Sequence, residues 1–194
     1  GNLATSVQLA LGGGLRVVAG LPNPRAWAQV RPGEVVRVVD RLASDAPTVV
    51  VDGIGVLEDV GGPTRGRHAV ARALVLEASA LVGVCDASPV GIARLLAWAI
   101  DVRALAPDTP MIVVVNRAPA ARFTRGEMYD EIVRTLPPHD VVFVAADRKV
   151  TDAAWNGAGV ARGRYTRGIA QVGEAVMALP DVSGAATEPV QESA

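Results

Sequence analysis

Four short apolar runs, each closing on one polar side chain, constrain this sequence more than anything else in it. They are "TVVVD" (48–52), "ALVGVCD" (80–86), "MIVVVN" (111–116) and "DVVFVAAD" (140–147). Runs this short and this rich in β-branched residues are too brief for buried helices and read as strands. Segments of helical period separate them. Strands that alternate with crossover helices imply an α/β fold, a mostly parallel sheet with helices on both faces. Ligands of such sheets sit beyond the carboxyl ends of the strands. Asp52, Asp86, Asn116 and Asp147 occupy those ends, and this pattern alone makes them candidates.

The remaining elements fit the same frame. "LRVVAG" (15–20) reads as a strand, and "RPGEVVRVVDRLASD" (31–45) as a helix with Pro32 in its first turn and Val35, Val38, Val39 and Leu42 on one face. "HAVARALVLEAS" (68–79) has helical period. "LVGVC" is continuously apolar, so its strand is expected to be covered on both faces. "SPVGIARLLAWAIDVRAL" (88–105) is the clearest helix, capped by Ser88, with Pro89 at its first position and Ile92, Leu95, Leu96, Ala99 and Ile100 as its apolar stripe. In "TRGEMYDEIVRTL" (124–136), Thr124 and Glu127 have capping-box spacing. Short helices around 150–156 and 166–178 complete one domain, expected over residues 1–179. The small, polar segment 180–194 is expected to be a disordered tail.

Composition excludes several classes. Half of the 194 residues are apolar and the formal charge is −1, so neither disorder nor a global nucleic-acid-binding field is indicated. The single cysteine, Cys85, forbids an internal disulfide and suits a reducing cytoplasm. Asp86 interrupts the longest apolar stretch, so no membrane insertion is expected. His68 and His139 lack metal-ligand spacing. Neither a G-x-S-x-G elbow nor a G-x-G-x-x-G loop after a strand is present. Trp27, Trp98 and Trp155 are expected in the core or on a pocket rim.

The polar strand ends have definite chemistry. A carboxylate at the end of a buried strand, followed by the glycines of "DGIG" (52–55), can orient a magnesium-bound water while the loop moves with a phosphate. It can equally cap the next turn and touch no ligand. The asparagine of "VVVNRAP" (113–119) offers a donor and an acceptor that suit the edge of a base, with Arg117 alongside; it can equally bond its own backbone.

Taken in order, "TVVVDGIG", "ALVGVCDASPVGIARLLAWAIDVRAL", "PMIVVVNRAP" and "VVFVAADRKVTDAAWNGAGVARG" resemble the later part of MinD/ParA-type P-loop ATPases, in particular CpaE-like and septum-site-determining-like proteins. The resemblance spans residues 2–178. It implies a P-loop NTPase-like fold of the deviant Walker A class, with ATP and Mg2+ as cofactors and a nucleotide-dependent homodimer. The implied partners are proteins of a partition, septation or pilus system. It also implies that Asp52 is catalytic and holds Mg2+ through water, that Asn116 and Arg117 contact adenine, and that Asp147 and Arg148 flank the base.

The phosphate loop of that family, G-x-x-x-x-G-K-[ST], has no counterpart here. Lys149 is the only lysine, and "ALGGGLR" (10–16) has neither lysine nor hydroxyl where they are required. The expectation is therefore a domain truncated at its N-terminus and inactive by itself. The alternative is a non-catalytic scaffold that recruits partner proteins. The basic stretches "RGRHAVAR" (65–72) and "ARGRYTRG" (161–168) allow non-specific DNA contact, but ordinary solvated arginines are the favoured reading. The C-terminal "PDVSGAATEPVQESA" is not an amphipathic membrane helix.

Overall fold

The computed structural model describes residues 7–10, 15–20, 28–58, 66 and 68–180. The chain divides into two compact units, Gly1–Glu77 and Ala78–Ala194, where the sequence suggested one domain. The expected disordered tail, apart from Pro180, and Trp27 lie outside the described residues.

In the first unit, β1 (Val7–Ala10) pairs antiparallel with β2 (Leu15–Val18), Val7 opposite Val18 and Ala10 opposite Leu15. The strand expected at 15–20 therefore exists. It sits in a separate two-stranded sheet, beside a segment that the sequence reading left unassigned. Helix α1 (Pro32–Asp45) has Pro32 at its start, carries half-buried valines and packs against α2 (Ala69–Glu77).

Residues 48–52 form no strand, which corrects the reading of "TVVVD". Val50 and Val51 are exposed. Four residues of high β-propensity, Thr48 to Val51, supply the conformation but not the partner, and a strand exists only where a neighbour completes its hydrogen-bond ladder. The segment is held further along, where buried Leu57 accepts a hydrogen bond at its carbonyl from Arg72 Nη1 (2.8 Å).

The second unit carries the parallel sheet. Its order is β3 (Leu81–Asp86), β4 (Met111–Ala118), β5 (Asp140–Ala145). The central strand shows why these residues form it. Met111 to Val115 are all buried, as a strand flanked on both edges and covered on both faces must be. Helix α3 (Pro89–Leu105) covers one face. A Cβ on Gly83 of β3 would lie 2.8 Å from Trp98 Cζ3 and 2.9 Å from Leu95 Cδ1, so the missing side chain is what admits the helix. The other face carries Ile112, Val114, Val142 and Val144, packed against Tyr165, Val172 and Val176 of α6 (Arg164–Met177). The α/β class with helices on both faces of a parallel sheet is thus observed, for three strands.

Several details differ from the sequence reading. β3 is covered on one face only: Leu81, Gly83 and Cys85 are buried, but Val82 and Val84 are 39% and 62% exposed. The cause is position, because β3 lies at an edge of its sheet and α6 packs on β5 and β4. The buried stripe of α3 is Ile92, Leu95, Ala99 and Val102, and Ile100 faces solvent. Trp155 is exposed at the end of α5 (Arg148–Trp155) instead of lying in the core or on a pocket rim. Helix α4 (Arg122–Thr135) begins directly after Ala121, so Thr124 falls inside the first turn and no Thr124–Glu127 capping box forms. Among the described residues no helix is long and apolar enough to cross a membrane.

The start of α3 is the tightest contact of the unit. Ser88 caps it as expected, accepting from Gly91 N–H (3.0 Å), and Ser88 N–H donates to the Asp86 carbonyl (2.8 Å). A Cβ on Gly91 would stand 2.4 Å from that carbonyl oxygen. The Gly91→Ala variant must displace backbone and is expected to lose about 2–3 kcal/mol of stability in urea titrations. Gly126→Ala, in α4 with nothing within 4 Å of the added methyl, is expected to gain about 0.5–1 kcal/mol. Equal effects of the two substitutions would contradict this packing.

Candidate functional site

The carboxyl ends of β3 and β4 lie side by side. Asp86 and Asn116 are direct register partners, and Ala87 N–H donates to the Asn116 carbonyl (3.1 Å), which carries the pairing past the end of β3. Two of the four polar strand ends are thereby brought together.

Beyond this point β4 departs from regular geometry. Its register with β5 shifts between Val115 and Ala118, and Arg117 has φ +54°, in the left-handed region. It is the only non-glycine described with positive φ. The two features have one cause: residues 116 and 117 bulge out of the ladder before Ala118 rejoins opposite Ala145. Such a conformation costs an arginine on the order of 1 kcal/mol and tends to collect at ligand sites. Asn116 Oδ1 accepts from Arg117 N–H (2.8 Å), which supports the bulge. Half of the expected base-reading pair is therefore engaged locally, and the side-chain NH2 remains for a ligand. Arg117 Nη1 lies 3.9 Å from Asp86 Oδ1, with both side chains largely solvated, so the pair contributes little stability.

The other expected residues are placed differently. Asp147 lies two residues past β5 and caps α5, its Oδ1 accepting from Lys149 N–H (3.1 Å). Arg148 is the exposed first residue of that helix. Asp52 is exposed in the strandless segment of the first unit. Among the described residues no group of three or more His, Cys, Asp or Glu is arranged to hold a metal. A magnesium ion relying on Asp52 would need most of its oxygen ligands from phosphate and water. Cys85 is buried beside Asp86; burial first, and the carboxylate second, push its thiol up to about 11, so it is a structural thiol and not a nucleophile.

A cavity of about 440 Å³ opens where β4 and β5 end. Arg117, Pro119, Arg125, Phe143, Ala146 and Arg164 contribute to its wall. Its size falls within the usual range for small-molecule pockets. Of the expected site residues only Arg117 reaches this wall; Asn116, Asp147 and Arg148 do not. Arg125, Arg164 and Phe143 escaped the sequence reading because each looks ordinary in its own segment, and only the fold assembles them. The "NRAP" tetrapeptide is the available signal, since it spans the bulge at the end of β4.

No protein-family model matches the chain, and comparison with curated proteins returns no match.

If the bulge is strained as described, Arg117→Gly relieves the strain but adds unfolded-state entropy, leaving stability within about 0.5 kcal/mol of the parent. Arg117→Val, β-branched at positive φ, is expected to lose 1 kcal/mol or more, roughly. Chemical denaturation of both checks this, and equal stability of the two variants would contradict a left-handed Arg117.

Proposed function

We propose that this chain is a nucleotide-binding α/β domain of the MinD/ParA/CpaE type, with the base held where β4 and β5 end. The observation that carries the reading is the pairing of Asp86 with Asn116 beside a bulge that turns Arg117 toward a cavity of ligand size. Parallel sheets bind ligands at this end. The ordered resemblance of the apolar runs to those ATPases supplies the choice of ligand, ATP with Mg2+, and of a nucleotide-dependent dimer acting with partition, septation or pilus proteins. Arg117 and Phe143 of the cavity wall offer faces for stacking; Asn116, beside Arg117 and outside that wall, offers its NH2 to the base edge, and Asp147 with Arg148 form the neighbouring helix start.

Turnover is a separate matter from binding. Phosphoryl transfer depends on groups that stabilise the developing charge, above all the phosphate loop and its lysine. The sequence contains no such loop. These 194 residues are expected to bind adenine nucleotides weakly and not to hydrolyse ATP.

A second reading, a non-catalytic interaction module, is favoured by the apolar face of β3, where Val82 and Val84 stand in solvent. Amide NMR separates the two. Addition of Mg-ADP is expected to shift residues 116–120 and 145–148, with Asn116→Ala weakening the response about tenfold, in line with lost hydrogen bonds of roughly 1–1.5 kcal/mol. Spectra unchanged at millimolar nucleotide would favour the interaction module.

A further inference from the structure

The cavity wall has a charge pattern that base recognition does not require. Three arginines, Arg117, Arg125 and Arg164, line it, and among the described residues no Asp or Glu does. Among the described residues neither Arg125 nor Arg164 has a carboxylate within salt-bridge distance, and Arg117 has only Asp86 at 3.9 Å. Among the described residues the Nε–H of Arg125 is buried without an acceptor, so the donors that Arg125 can turn to the cavity are those of its terminal Nη groups. Arg164 is the first residue of the fourteen-residue α6, so the partial positive charge of a helix start adds to the guanidinium field. The rest of the wall is apolar, with Phe143 and Pro119 available to an organic body.

From these observations we propose that the cavity is an anion-selective pocket for a small molecule carrying an oxyanion, a phosphate monoester or a carboxylate, on a flat apolar body. Guanidinium forks match both oxyanions in geometry and charge. The ring or chain of the ligand lies against Phe143, and the oxyanion takes the Arg125 and Arg164 donors. The pocket is half open to solvent, and its volume accommodates a small molecule. The inference does not depend on the nucleotide reading: a phosphate held by these arginines needs no phosphate loop and no magnesium.

The test uses the 194-residue chain and four probes followed by amide NMR: phenyl phosphate, benzoate, inorganic phosphate and adenosine. Phenyl phosphate or benzoate is expected to give saturable shifts at Ala118, Ala120 and Ala146, at least tenfold tighter than inorganic phosphate. The stronger of the two identifies the oxyanion. Arg164→Gln, on an exposed side chain, and Arg125→Gln are each expected to weaken binding tenfold or more. Arg94→Gln, an exposed arginine of α3 outside the cavity, is expected to change nothing, and Arg164→Gln keeps the test decisive should Arg125→Gln fail to fold. Absence of saturable binding by both aromatic anions, or equal loss with Arg94→Gln, would overturn the inference. So would a DNA duplex that shifts the same amides more tightly than either probe. Adenosine separates the two readings: adenosine binding that ignores Arg164→Gln, without phenyl phosphate or benzoate binding, keeps the nucleotide site and removes the anion pocket. Aromatic anion binding without adenosine binding does the reverse.

Discussion

Burial of one central strand is the constraint on which the parallel-sheet unit depends. From Met111 to Val115 every side chain of β4 is out of water, and both edges of the strand are paired. Neither condition holds without the other. Backbone groups shut away from solvent must find partners in β3 and β5, and the apolar side chains must be covered by helices on both faces. Each buried aliphatic side chain contributes about 1.5–3 kcal/mol, so the strand anchors the unit energetically as well as geometrically. Glycine sets how closely the layers approach. Gly83 makes room for Leu95 and Trp98, Gly91 lets the start of α3 meet the end of β3, and Gly168 brings α6 within reach of Val144.

That rigidity explains why the functional geometry appears where it does. Regular pairing with β5 holds β4 as far as Val115 and then breaks for Asn116 and Arg117, while Asn116 stays paired with Asp86 of β3. A bulge immediately beyond a fixed strand presents its side chains at a defined place. The same interruption leaves the space between the ends of β4 and β5 that Arg125 of α4 and Arg164 of α6 complete. The local strain at Arg117 is tolerated because the five buried residues before it hold the backbone.

The second unit was legible in the sequence because its signals are local and agree with one another. β3, β4, β5 and the helix at 89–105 fall within a residue or two of their expected spans, since a β-branched run, a Ser-Pro start and helical period each act over a few residues. What failed involved partners. "TVVVD" has the propensity of a strand and no ladder partner among the described residues, and Val82 and Val84 are apolar but lie beyond the reach of α6. At the candidate site, the place of Asp86 and Asn116 at carboxyl strand ends followed from pattern alone, and their adjacency is set by the order of the sheet. The arginine-lined cavity did not, because Arg117, Arg125 and Arg164 come from three elements whose meeting is a property of the tertiary fold. Asp147 looked like a ligand-facing carboxylate and serves as a helix cap.

The central claim is that the ends of β4 and β5 form the ligand-binding cleft of this protein. A crystal structure of the chain grown with AMP tests it most directly, since AMP offers both a base and an oxyanion. The account predicts AMP density between residues 117–120 and 145–146, with at least one of Arg117, Arg125 and Arg164 bonded to its phosphate. AMP bound elsewhere, with the cleft filled only by solvent, would contradict it.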